Sequence, residues 1–179
     1  MYVRVTWLTL TFTMIRRWPS IERLQPRYGQ YDWAWYETPE RHAQIRREAA
    51  AAFVADHTRH PERYVAAQLP ELPFANDAFD LALCSHLLFT YQQITMAQHI
   101  AAIRELTRVA AEARVFPLVD ITGGRADALL GSISDQLTRE GLDVRIVEVP
   151  FRFQKHATQM LVATRSPQHA RYAQFRDSG

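Results

Sequence analysis

From Arg63 onward the sequence alternates between short apolar runs and longer segments of helical period, a rhythm that few architectures accommodate. The pattern predicts strands over 63–68, 79–85, 113–120 and 144–149, with helices over 94–111 and 125–140. Strands separated by helices must cross over rather than turn back, which argues for an α/β fold with a mainly parallel sheet. Gly141 stands just past the second of these helices, where a left-handed residue ends a helix without a Cβ penalty. The runs 144–153 and 158–164 are joined only by Gln154-Lys155-His156-Ala157, so they read as an antiparallel hairpin at the sheet edge.

The first part of the chain has a different character. Leu8, Leu10, Phe12 and Met14 alternate with threonines, which predicts a half-buried strand expected to pair within the main sheet. All four tryptophans, at 7, 18, 33 and 35, fall in this region. Thr38-Pro39-Glu40 then supplies a hydroxyl N-cap, a proline in the first turn and an acid at the positive end of the helix dipole. The helix is expected to run to about His57, burying Ile45, Ala49, Ala52 and Phe53, and to stop at His60-Pro61. Residues 1–36 are therefore an N-terminal strand with an aromatic linker, 37–165 the α/β domain, and 166–179 a polar tail.

Composition removes several functions. Lys and Arg total 21 against 19 Asp and Glu, so the net charge of +2 gives no clear nucleic-acid signal. Lys155 is the sole lysine and lies in no phosphate-loop motif. A lone cysteine, Cys84, excludes an internal disulfide framework and a multi-cysteine metal site, and points to a reducing, cytoplasmic setting. The apolar run 5–15 is about half the roughly 20 residues a membrane helix needs, and Arg16-Arg17 follows it where a signal peptide would have the charge in front. No membrane association is expected. Seven histidines form no H-x-x-x-H pair, so no metal is assigned, and no Gly-x-Ser-x-Gly elbow marks a serine hydrolase.

In an open parallel sheet, ligands gather beyond the carboxyl ends of the strands. Three places qualify: Gln68 and Leu69, leading into a proline-rich loop; Cys84-Ser85-His86; and Asp120 with Thr122-Gly123-Gly124. The ordered string Leu72-Pro73-Phe74, Asn76-Asp77, Phe79 to His86, Arg104 to Val109 and Arg114 to Pro117 resembles the latter part of a class I S-adenosylmethionine-dependent methyltransferase, over about residues 62–165. The resemblance implies a Rossmann-like sheet whose last two strands form an antiparallel edge. It assigns Gln68 and Leu69 to the adenine of S-adenosylmethionine and Cys84 and Ser85 to its methionine end, with His86 facing the methyl acceptor as the candidate catalytic residue. From the residues alone, the default reading of Cys84 is a small buried hydrophobe and that of His86 is hydrogen-bonded structure.

One departure from that family is large. Of six glycines, none form a Gly-x-Gly, and no segment before Arg63 offers a glycine turn; the run ending near Ile15 leads into Arg16-Arg17-Trp18-Pro19. The expectation is a methyltransferase-like protein that is incomplete at its N-terminus or degenerate, acting on an unknown acceptor. The alternative is a non-catalytic interaction protein of the same fold, with a homo-oligomer or another partner at its exposed sheet edge.

Overall fold

The computed structural model describes residues 29–166 and the backbone of Trp7–Leu8. In chain order the elements are β1 (Trp7–Leu8), α1 (Pro39–Arg59), β2 (Tyr64–Val65), β3 (Phe79–Ser85), α2 (Met96–Val109), β4 (Ala110–Phe116), α3 (Asp127–Arg139), β5 (Leu142–Glu148) and β6 (Gln159–Arg165). The described residues fall into two units, one holding Leu69–Pro150 and those from His156 on, the other those up to Gln68 with Phe151–Lys155.

The first unit is an α/β fold on a four-stranded sheet ordered β3-β4-β6-β5. β3 and β4 are parallel, joined by a crossover through α2, whereas β5 and β6 form the expected antiparallel hairpin. β6 inserts between β4 and β5, so its ladder with β4 is antiparallel too. Thr95 starts α2 with a capping box: its hydroxyl accepts from the Gln98 amide while the Gln98 side chain accepts from the Thr95 amide. Apolar residues at helical spacing, Ile103, Leu106 and Val109, bury one face of α2 against the sheet. Ala113 and Val115 of β4 and Leu161 and Ala163 of β6 meet them from the sheet side, all 0% exposed. Gly141 ends α3 at φ +90°, as its position in the sequence requires. Pairing of β4 stops at Phe116, where Pro117 has no amide to continue the ladder.

Several boundaries differ from the sequence reading. The strand expected over 63–68 shrinks to Tyr64–Val65, because Pro61–Arg63 form a tight helical turn and Ala66-Ala67 contribute little strand preference. α2 passes into β4 without a loop, Ala110 already being extended at φ −133° and ψ 152°. The alanine-rich stretch 110–113 left that switch unmarked in the sequence.

In the second unit, Thr38 caps α1 as expected, its hydroxyl accepting from the Arg41 amide. The predicted buried stripe is wrong: Ala49 and Ala52 are exposed, Ile45 and Phe53 are half-buried, and the buried residue of the helix is His42. Alanine favours the helix through its low entropy cost rather than through burial, and the aromatic rings gather at the first turn instead. Tyr31 and Phe153 stack at 4.8 Å, and His42 stacks on the other side of that cluster at 4.6 Å from Phe153. Leu8 pairs with Val65 in a separate two-stranded parallel ladder, not in the four-stranded sheet; residues 9–14 lie outside the described residues. No described helix is long and apolar enough to cross a membrane.

Candidate functional site

β3 delivers Cys84, Ser85 and His86 to the carboxyl end of the sheet, beside the end of β4. The His86 amide donates to the Phe116 carbonyl at 2.9 Å, extending the ladder one residue past the strand. His86 then turns left-handed, at φ +54°, and Phe89 does so again at φ +67°. Non-glycine residues adopt this conformation at a cost, and it recurs where a chain must re-aim side chains sharply. Here it places the His86 Nδ1 at 2.8 Å from the Ser85 hydroxyl and its ring edge-on to Phe116. Ser85 is exposed and His86 half-buried, so both reach the surface of the strand end.

Cys84 points the other way and is 7% exposed. Burial pushes its thiol up to about 11, against the smaller opposing effect of a backbone hydrogen bond from Leu88. The group is therefore a neutral thiol near pH 7, without the thiolate that nucleophilic chemistry needs.

The loop after β4 closes on itself around Asp120. One carboxylate oxygen accepts from the Thr122 amide at 2.7 Å, the Thr122 hydroxyl at 2.6 Å and the Gly124 amide at 2.9 Å. The other accepts from the Gln92 side chain at 2.8 Å. Burial alone would raise the Asp120 carboxyl, but these donors outweigh it and hold it at about 2. A Cβ on Gly124 would stand 3.0 Å from the same carboxylate, so this glycine serves the protein's own turn. The loop after β3 is bound to it a second time, the Ile121 amide donating to the Thr90 carbonyl.

That loop is fixed from below by His99, which is 1% exposed. Its Nε2 accepts from the Phe89 amide at 3.0 Å, which requires the proton on Nδ1, where the Thr95 carbonyl lies at 2.8 Å. Burial lowers the tendency of His99 to protonate, a backbone interaction with Thr95 opposing it.

Of the residues singled out in the sequence, the structure thus brings Ser85 and His86 together at one strand end and turns Cys84 into the core. Leu69 is half-buried at the start of the same unit, and Gln68 is exposed at the end of the other. Among the described residues no cluster of His, Cys, Asp and Glu could hold a metal ion. Sequence reasoning missed Thr90 and Gln92, which sit in an irregular loop and follow no period, and His99, which falls on the buried face of α2 among its apolar residues.

No family model matches the chain. An uncharacterized protein of Methanocaldococcus jannaschii is 26% identical over 138 residues, 76% of this chain, and the chain spans 60% of the length of that relative. Two solved structures are similar at low TM-scores. A SAM-dependent methyltransferase of Methanosarcina mazei gives 0.39 at 15% identity, over 57% of this chain and 66% of that one. The pyocyanin biosynthetic protein PhzM gives 0.38 at 20% identity, over 69% of this chain and 39% of its own.

Proposed function

We propose that this chain is a methyltransferase-like protein whose described residues supply the acceptor side of a methyl-transfer site and not a complete cofactor cradle. The carrying observation is the Ser85–His86 pair at the carboxyl end of β3, beside the end of β4. It is supported by the resemblance of the ordered string over residues 62–165, which assigns Gln68, Leu69, Cys84 and Ser85 to S-adenosylmethionine.

The residues present fit that cofactor only in part. Ser85 offers an exposed hydroxyl at the strand end, whereas the Cys84 side chain is buried among core residues. The amides of Gly123 and Gly124 are already taken by Asp120, donating to its carbonyl and its carboxylate, and so are not offered to a ligand. S-adenosylmethionine supplies an electrophilic methyl group when it is bound, and no step through it is assigned to these residues. What His86 does is take a proton from an acceptor O–H or N–H. The 2.8 Å hydrogen bond between the Ser85 hydroxyl and Nδ1 orients the ring, and in the tautomer with the proton on Nδ1 the base is the Nε2 lone pair.

Titration with S-adenosylmethionine, followed by calorimetry and by amide chemical shifts, tests this reading. Affinity in the millimolar range, about −4 kcal/mol, with shifts at 84–86 and 116–122, is the expected result. Micromolar affinity overturns the incomplete cradle, and an absence of shifts at these residues overturns the site.

A further inference from the structure

The two edges of the four-stranded sheet are built differently. β5, on one edge, carries Asp143, Arg145 and Glu148, charges of the kind that keep an edge from pairing with another chain. β3, on the other, reads Phe-Asp-Leu-Ala-Leu-Cys-Ser: seven residues, no proline, one charge at its start. Leu83, next to its middle, is 64% exposed.

The direction of its free backbone groups follows from one hydrogen bond. Because the His86 amide points at β4, and successive residues of a strand point to alternate sides, the even-numbered residues of β3 bond β4. The N–H and C=O groups of Leu81, Leu83 and Ser85 therefore face outward, and among the described residues no strand pairs with them.

The geometry points to β3 as the interface between two copies of this chain, paired antiparallel about a two-fold axis at Leu83. In that register Leu83 meets Leu83 of the second copy, and Leu81 meets its Ser85, giving about six backbone hydrogen bonds between outward-facing groups. The same register sets Asp80 opposite His86 of the second copy, and by symmetry His86 opposite the second Asp80. The pair is an acid with a base, at the rung where β3 gives way to the left-handed turn of His86. A second copy is favoured over an unrelated strand because β3 is complementary to its own reverse: Leu against Leu at the centre, Asp against His at the ends. The consequence for the site is that each His86 gains a carboxylate from the other copy. This inference stands on the edge geometry and does not depend on the methyltransferase reading.

Sedimentation velocity on the full chain across a concentration series tests it. A reversible dimer is expected, with its dissociation constant raised at least tenfold by Leu83→Lys and also weakened by Asp80→Arg. The circular dichroism of both variants should match the parent, since both side chains are exposed. Under mild oxidation Leu83→Cys should form an 83–83 disulfide, the Cα spacing of such a pair lying near 5.5 Å. Ile146→Cys on β5 should not crosslink. A chain that stays monomeric to about 100 μM, a dimer insensitive to Leu83→Lys, or crosslinking through position 146 instead of 83 overturns the proposal.

Discussion

His42 and His99 are buried imidazoles, 3% and 1% exposed, held neutral in different ways. His99 is fixed by two hydrogen bonds that dictate its tautomer. His42 instead lies among rings, with Tyr36 at 4.6 Å, Trp33 at 5.8 Å and Phe153 at 4.6 Å. Burial and then the Arg46 guanidinium lower it to about 4. Unfolded, both histidines protonate near the ordinary value of about 6.5. As pH falls below that, the unfolded chain takes up protons that the folded chain refuses, so stability declines on acidification toward pH 4. For His42 the full loss amounts to about 3 kcal/mol. Urea unfolding between pH 7 and 4 should show this slope. His42→Phe keeps the ring in the cluster and should flatten the slope in its own unit, with stability at pH 7 within about 1.5 kcal/mol of the parent. A variant with an unchanged slope shows that His42 does not titrate in this way. Asp120 has the same sign at lower pH. Its carboxyl, held at about 2, contributes stability above the usual carboxylate range and loses it as pH falls from about 4 toward 2.

At the scale of elements, the residues that carried the family resemblance turn out to bind one another. Arg108 of α2 donates to the Phe74 carbonyl at 2.9 Å, the Asn76 side chain at 2.8 Å and the Leu72 carbonyl at 3.1 Å. Glu105, one turn earlier, accepts from the Leu72 amide at 2.7 Å and pairs with Arg108. This fork of donors ties the loop before β3 to the helix after it, which a lysine cannot reproduce. Arg108→Ala should therefore lower stability, since the Leu72 and Phe74 carbonyls lose their side-chain donor. Hydrogen exchange should rise first at Phe74 and Asp77, whose amides donate to the Leu72 and Arg108 carbonyls; uniform acceleration across the sheet would contradict a local fastening. The same elements show what was legible in the sequence. Whereas the strand expected over 113–120 begins at Ala110 and ends at Phe116, the β5–β6 hairpin and the stop of α3 at Gly141 were readable because each depends on local chemistry. The stripe of α1 was not, since alanine reports helix preference without saying which face is covered. The strand-end rule located Ser85 and His86 at the carboxyl end of β3, but nothing in the sequence announced that Gln92 would reach Asp120, 28 residues away.

For the molecule as a whole, the order of strands in the sheet differs from their order in the chain. β5 is made before β6 yet touches the rest of the sheet only through it. Full-length protein can satisfy both ladders at once, but a nascent chain cannot. While β6 is still unsynthesised, β4 has an open flank and β5 has no strand to pair with, although α2, α3 and β3 are already present. Apolar positions on β4 and β5 then await their cover during translation, the interval in which partly formed domains are open to aggregation and to proteases. Chains ending before Gln159 and carried on a linker long enough to clear the ribosomal exit tunnel should be cut readily within β5, and chains on the same linker that also include Gln159–Arg165 should resist. Equal resistance of the two would mean that β5 finds another partner first. The feature that completes the sheet thus also sets a timetable: β5 waits for one seven-residue segment to leave the ribosome.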